Sequence, residues 1–106
     1  MGNGINQSSE FSDVLEDVLV QGTVTVGTTQ TALNVSGTNN PEREVLRIYN
    51  SSNSTIYIGP SGVTADASSS EPLFKNQWIE FPIGDSLTMY AIVASGTADV
   101  VVWEIG

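Results

Sequence analysis

From residue 22 onward, the chain alternates between short runs rich in β-branched and aromatic residues and clusters of Gly, Ser, Asn and Pro. Within the run 45–50, Leu46 and Ile48 share one face, whereas Arg47 and Tyr49 share the other, which is the two-residue period of a β-strand. Regularly spaced short strands predict an all-β fold, a compact antiparallel β-sandwich or jelly-roll-like barrel. The predicted strands are 23–26, 31–36, 45–50, 55–59, 77–82, 87–94 and 98–105, with a short edge strand at Leu73.

The last two strands differ from the others because they are apolar on both faces. Residues 95–97 (Ser-Gly-Thr) between them predict a short hairpin, and residues 51–54 predict another one earlier in the chain. A strand that is apolar on both faces is normally covered on both sides. We expect the cover to come from a second layer, from the N-terminal segment or from another subunit.

The hydrophobic pattern changes near the N-terminus, where apolar residues recur with the period of a helix. The sequence therefore predicts an N-terminal arm over residues 1–20, with a short amphipathic helix, and a β-sandwich domain over residues 21–106. The segment is too short to be stable alone, so its stripe must dock on its own sheet or on a neighbouring subunit; an extended strand is the other option. The stripe, our candidate protein interface, consists of Phe11, Val14, Leu15, Val18 and Leu19.

The net charge restricts the possible partners. The 106 residues include twelve acids and three bases, Arg43, Arg47 and Lys75, for a net charge of −9. Nucleic-acid binding requires a basic surface, and an anionic membrane repels an acidic one. We therefore expect neither a nucleic acid nor a membrane as partner. The length predicts a single domain, and the first residues show no signal-peptide pattern.

The residue types offer little reactive chemistry. The chain has no His and no Cys, so thiolate and imidazole catalysis and zinc sites are not expected. Loop carboxylates at Asp66, Asp85 and Asp99 are the only calcium candidates, and their spacing matches no EF-hand. We expect no enzyme activity, no cofactor and no metal. We also expect solvated side chains for the scattered acids, which are Asp66, Glu71, Glu80, Asp85, Asp99 and Glu104.

Five aromatic residues have three possible roles. Aromatic side chains pack in cores, and they are also enriched at protein interfaces. A platform for sugar rings is the third possibility. The five are Tyr49, Tyr57, Trp78, Tyr90 and Trp103.

Several strand-and-turn motifs resemble those of small structural proteins of tailed bacteriophages. The resemblance spans about residues 22–105 and includes no catalytic residue. One departure is Lys75-Asn76, which stands where a Pro-Gly-type turn is expected. The motifs are Val26-Gly27-Thr28-Thr29, Ala32-Leu33-Asn34-Val35, Arg47-Ile48-Tyr49-Asn50, Tyr57-Ile58-Gly59, Ser61-Gly62-Val63-Thr64, Leu87 through Tyr90-Ala91, and Gly96-Thr97-Ala98-Asp99-Val100.

This resemblance implies a compact β-sandwich on a virion, most simply a head decoration (cement) protein that stabilises the head by bridging capsid subunits. The implied partner is the major capsid protein, and the implied location is the capsid surface, after synthesis in the cytoplasm of the bacterial host. Closed symmetry favours a homo-oligomer, with a trimer as the first expectation. The alternatives are a neck, tail or head-fibre-base component, or a carbohydrate- or receptor-binding module.

Overall fold

The computed structural model describes residues 19–106, which form eight β-strands in two antiparallel sheets and contain no helix. The all-β sandwich predicted from the sequence is confirmed. None of the described elements is a helix that could cross a bilayer. The strands are β1 (Leu19–Val26), β2 (Thr31–Ala32), β3 (Val45–Asn50), β4 (Ile56–Gly59), β5 (Glu71–Leu73), β6 (Trp78–Phe81), β7 (Tyr90–Ile92) and β8 (Ala98–Ile105).

The two sheets have the strand order of a jelly roll. The first sheet runs β1-β8-β3-β6, and the second runs β2-β7-β4-β5. Apart from the β4–β5 connection, each link between consecutive strands passes from one sheet to the other. Eight strands that alternate in this way between two four-stranded sheets are the jelly-roll arrangement.

The two predicted hairpins are wrong. Residues 51–54 join β3 to β4, and residues 95–97 join β7 to β8; in both cases the two strands lie in different sheets. The physical reason is burial. Each of these strands has an apolar face, and crossing between sheets turns both faces toward the same interior. Gly96 adopts a φ of 68°, which Gly tolerates at no steric cost, and so permits the sharp crossing.

Strand ends differ most from the predictions at three places. The predicted strand 31–36 is limited to Thr31–Ala32, and the predicted strand 87–94 is limited to Tyr90–Ile92. Strand β1 begins at Leu19, two residues before the expected start of the sandwich domain. Leu19 extends β1 because it pairs with Ile105, the last residue of β8.

The core lies between the sheets and follows the predicted alternation. Leu46 and Ile48 of β3 face Ile56 and Ile58 of β4 across this interior, and all four are almost completely buried. Aliphatic side chains dominate the core, as expected for a jelly roll in which both sheets have one apolar face. The other buried apolar residues are Val26, Leu33, Val63, Leu73, Ala91, Val93, Ala98, Val100 and Val102.

One end of the sandwich is closed by a buried ion pair. Glu104 follows Ala98, Val100 and Val102 on the inner face of β8, and its carboxylate accepts a hydrogen bond from Arg43 Nη1 at 3.0 Å. Both side chains are buried. The expectation that Glu104 is solvated is therefore wrong, because its place in the two-residue period turns it inward.

The other partners of this ion pair come from two loops. The Glu104 carboxylate also accepts from the backbone N–H groups of Val35 and Asn40, at 3.1 and 2.9 Å. Arg43 donates to the carbonyls of Gly84 and Leu87, each at 2.7 Å from Nη2. The pair therefore joins the β2–β3 and β6–β7 connections to the end of β8. It fixes the position of the strand that carries Trp103 and Ile105.

The close approach of Gly22 to the core provides a test of packing. A Cβ at Gly22 would lie 2.7 Å from Val35 Cγ1, whereas a Cβ at Gly27 would meet nothing within 4 Å. Gly22→Ala is expected to lower the free energy of unfolding by about 1–3 kcal/mol, as overpacking does. Gly27→Ala is the matched control, expected to stay within about 0.5 kcal/mol of the parent. Urea unfolding measures both; equal values for the two variants would contradict the packing argument.

Candidate functional site

The outer face of the first sheet carries a patch of aromatic and aliphatic side chains. Strand register places Trp103 opposite Arg47, and Arg47 opposite Glu80. Two residues away along each strand, on the same face, Val101 lies opposite Tyr49, and Tyr49 lies opposite Trp78. These side chains point outward because their neighbours along each strand fill the core. We call this patch the tryptophan face: Val45, Arg47, Tyr49, Trp78, Glu80, Val101, Trp103 and Ile105.

Arg47 lies at the centre of the tryptophan face, between the two indole rings. Its guanidinium carbon is 4.3 Å from the centroid of the Trp78 ring and 5.3 Å from that of Trp103. Both distances are within the range of cation–π attraction. The contacts follow from the register, because Trp103 is the direct cross-strand neighbour of Arg47 and Trp78 is a diagonal one. The stacking holds Arg47 flat against the sheet.

The hydrogen-bonding capacity of Arg47 is not satisfied within residues 19–106. Its Nε is buried and has no acceptor among them. Its contact with Glu80 is long, at 3.8 Å, and both side chains are substantially exposed (37% and 44%). A buried donor without a partner is costly, and one in a native protein calls for an explanation. Because the Arg47 side chain as a whole is 37% exposed, its guanidinium can still meet an acceptor from outside the described residues.

The exposed positive charge of the chain is concentrated at this face. Of the three basic side chains, Arg43 is buried in its ion pair, and Arg47 lies at the centre of the face. The third, Lys75, is exposed in the turn between β5 and β6. Tyr49 donates a hydrogen bond to Asn76 Oδ1 at 3.1 Å, which ties this turn to the edge of the face.

The same turn explains the departure from the expected Pro-Gly pattern. Asn76 has a φ of 65°, in the left-handed region that Gly usually occupies, and Gln77 N–H donates to the Phe74 carbonyl at 3.0 Å. Asn tolerates this region better than other non-Gly residues. Lys75-Asn76 therefore forms a tight turn while adding a positive charge beside Trp78.

All five aromatic candidates lie outside the buried core. Tyr49, Trp78 and Trp103 belong to the tryptophan face, and Trp78 is 54% exposed. Tyr57 and Tyr90 lie on the outer face of the second sheet, next to buried inward-facing neighbours. The core interpretation of these residues is therefore wrong. The alternation along each strand could have predicted their outward direction, because Tyr49 lies between the buried Ile48 and Asn50.

The predicted interface stripe falls mostly outside the described residues. Phe11, Val14, Leu15 and Val18 precede residue 19, so the structure does not test them. Leu19 is the first residue of β1, it is 48% exposed, and it pairs with Ile105 at a corner of the tryptophan face. The chain thus enters the described structure beside this face.

The acidic residues form no cluster in the described part of the chain. Residues 19–106 contain no group of three or more acidic side chains placed to hold a metal ion. Asp66 accepts hydrogen bonds from the backbone N–H and hydroxyl of Ser68, which lower the pKa of its carboxyl. Asp99 accepts a hydrogen bond from Thr25 at 2.7 Å. The calcium candidates Asp66, Asp85 and Asp99 are not brought together.

Comparisons with family models, with curated proteins and with solved structures find no match to this chain. The site must therefore be interpreted from its own chemistry. Trp, Tyr and Arg are the residue types most enriched at the energetic centres of protein interfaces. The tryptophan face combines these types on a rigid sheet, an arrangement suited to binding a protein surface.

Proposed function

We propose that the protein is a non-enzymatic structural protein of a tailed-phage virion, a decoration (cement) protein that binds the outer capsid surface. The observation that supports this proposal is the tryptophan face. The eight strands of residues 19–106 are all used in the two sheets, so this part of the chain provides no further layer over the face. An exposed aromatic patch of this kind usually marks a binding surface.

The fold is compatible with the proposal but does not establish it. Jelly rolls occur in viral capsid proteins, but also in lectins and cupins. Function has to be inferred from the site. The site here contains aromatic anchors around a stacked Arg47. A flat sheet face suits the broad, shallow surface of a capsid shell.

The proposed mechanism is mechanical. Each copy binds across the joint between neighbouring capsid subunits and buries apolar surface there. A ligand that binds only the assembled shell stabilises it by mass action. The net charge of −9 favours a basic partner surface and discourages binding to the packaged nucleic acid.

The carbohydrate-binding alternative is favoured by one observation and opposed by another. Two indole rings lie on one face, as a sugar platform requires. Arg47, however, already covers one side of each ring. A sugar would have to displace the guanidinium or use the ring edges, whereas a protein partner can pack around it. We therefore place protein binding first.

Copy number tests the proposal. Quantitative mass spectrometry of purified particles would measure the ratio of this protein to the major capsid protein. A decoration protein is expected in a simple fraction of the capsid-subunit number, which means hundreds of copies per particle. A handful of copies would instead place it in the neck, tail or fibre base. Its absence from the particles would refute a virion role.

A further inference from the structure

We propose that the tryptophan face binds the N-terminal segment of a second copy of this chain, through the apolar stripe Phe11, Val14, Leu15 and Val18. The proposal concerns self-association of the free protein, so it does not depend on a virion role. On an assembled shell, the segment and the capsid surface would compete for the same face. It assigns an occupant to a face that residues 19–106 leave without a covering layer. Charge complementarity, apolar complementarity and the point at which the chain enters the sheet support this occupant.

Charge complementarity is the first step. Residues 1–18 contain four acids and no Lys or Arg. The two exposed basic side chains, Arg47 and Lys75, lie in the face and at its edge. A carboxylate from the segment could reach the exposed part of the Arg47 guanidinium, whose contact with Glu80 is long, at 3.8 Å. Hydrogen bonds between a guanidinium and a carboxylate are among the stronger ones in proteins. The acids of the segment are Glu10, Asp13, Glu16 and Asp17.

Apolar complementarity is the second step. In a helix, the stripe residues share one side, with acids flanking them. The face presents Val101, Trp103 and Ile105 on the outward side of β8, and Trp78 two strands away on β6. An eight-residue helix is about 12 Å long. The three strands that carry the face, β6, β3 and β8, span about 10 Å. The stripe is therefore long enough to cross the face.

The entry point of the chain indicates a second copy rather than the same chain. Leu19 pairs with Ile105, so the chain enters the sheet at its end and at its edge strand. The stripe ends at Val18, and strand β1 begins at Leu19, with no linker between them. Folding back onto the same face would require an immediate reversal between Val18 and Leu19, and neither residue is a turn former. A neighbouring copy requires no such reversal.

Intrinsic fluorescence offers a direct test with the full chain. The only two Trp residues, Trp78 and Trp103, both lie in the face, so their emission reports on its exposure. The emission is expected to shift to shorter wavelength as protein concentration rises, in step with the mass measured by sedimentation. Leu15→Asp is expected to abolish both changes. Ile5→Asp, an apolar position outside the stripe, is the matched control and is expected to keep both.

Two results of this experiment would overturn the proposal. One is an emission wavelength that does not depend on concentration. The other is association that Leu15→Asp leaves intact, because the stripe would then not be the contact. A circular dichroism spectrum of Leu15→Asp that matches the parent shows that the sandwich is folded in the variant. Since purified protein is used, absence of the protein from virions would leave this result unaffected.

Cross-linking then identifies the donor chain. The chain has no Cys, so introduced thiols react only where they are placed. A mixture of Ser12→Cys and Glu80→Cys proteins is expected to form a disulfide-linked heterodimer on oxidation. Ser61→Cys, exposed in the β4–β5 loop of the second sheet, replaces Glu80→Cys as the off-face control and is expected to give none. A link that forms only when both thiols are in one chain would show own-chain docking and refute the proposal.

Discussion

Replacing Glu104 with Gln is expected to lower the free energy of unfolding by about 3–5 kcal/mol, the cost of breaking a buried ion pair by removing one charge. The substitution keeps the size of the side chain but halves its acceptors. One carboxylate oxygen accepts from Val35 N–H, and the other accepts from Asn40 N–H and Arg43. An amide NH₂ at either place would face a donor, and Arg43 would remain buried without its counter-charge. Denaturant unfolding of the two proteins measures the difference.

Glu80→Gln is the matched control for this prediction. Glu80 also pairs with an arginine, but the separation is 3.8 Å and the side chain is 44% exposed. Exposed pairs contribute about 0–1 kcal/mol. We therefore expect a small effect from the same chemical change at this position. If the two variants lost similar stability, the ion pair at the end of the sandwich would not be a major source of stability.

Replacing Asn50 with Ala is expected to lower the free energy of unfolding by about 2–4 kcal/mol, because several buried polar groups would lose their partners together. Asn50 is completely buried at the end of β3. Its amide nitrogen donates to the carbonyls of Ser54 and Leu73, both at 2.8 Å. Its amide oxygen accepts from the backbone N–H and hydroxyl of Ser52, at 3.0 and 2.6 Å. Thermal or urea unfolding of the variant provides the measurement.

Asn53→Ala controls for the loss of an Asn from the same connection. Asn53 is exposed between Ser52 and Ser54, and surface substitutions usually change stability by less than about 0.5 kcal/mol. Asn50 also holds the residue 51–54 connection in the form that crosses between sheets. A stability loss at Asn53 as large as that at Asn50 would show that this side-chain network does not hold the crossing.

These two polar clusters support the tryptophan face from different parts of the sandwich. Glu104 lies between Trp103 and Ile105, so its inward anchoring fixes the outward direction of both neighbours. Asn50 follows Tyr49 on β3, so its inward anchoring fixes the outward direction of Tyr49. A rigid sheet lets aromatic anchors bind without losing side-chain freedom on binding, which improves affinity. Rigidity of the scaffold is therefore relevant to the proposed binding role as well as to stability.

The local sequence pattern is sufficient to predict strands and their faces. The pattern predicts that Leu46 and Ile48 share one face, and both are buried. The predicted strands 45–50 and 98–105 match β3 and β8. These predictions succeed because side chains alternate strictly along a strand, so a few residues determine which face is apolar. The same rule places Tyr49 and Trp103 outward.

Which strands pair with one another could not be predicted from the sequence and is seen only in the tertiary structure. Residues 51–54 and 95–97 have the composition of hairpin turns, but both connections cross between sheets. A short polar segment is compatible with either path, and the choice depends on which partner buries each apolar face. Such partners are distant in sequence, as with the buried Val26 and Ala98, which pair between β1 and β8. Local composition holds no information about them.

By itself, the sequence determined the all-β class, the inward and outward faces of the main strands, and the absence of His and Cys chemistry. Only the tertiary structure decided that Arg47 lies between Trp78 and Trp103, and that Glu104 is buried against Arg43. The physical reason is range. Alternation is set by neighbouring residues in one strand, whereas these contacts depend on the order and register of strands brought together by the whole core.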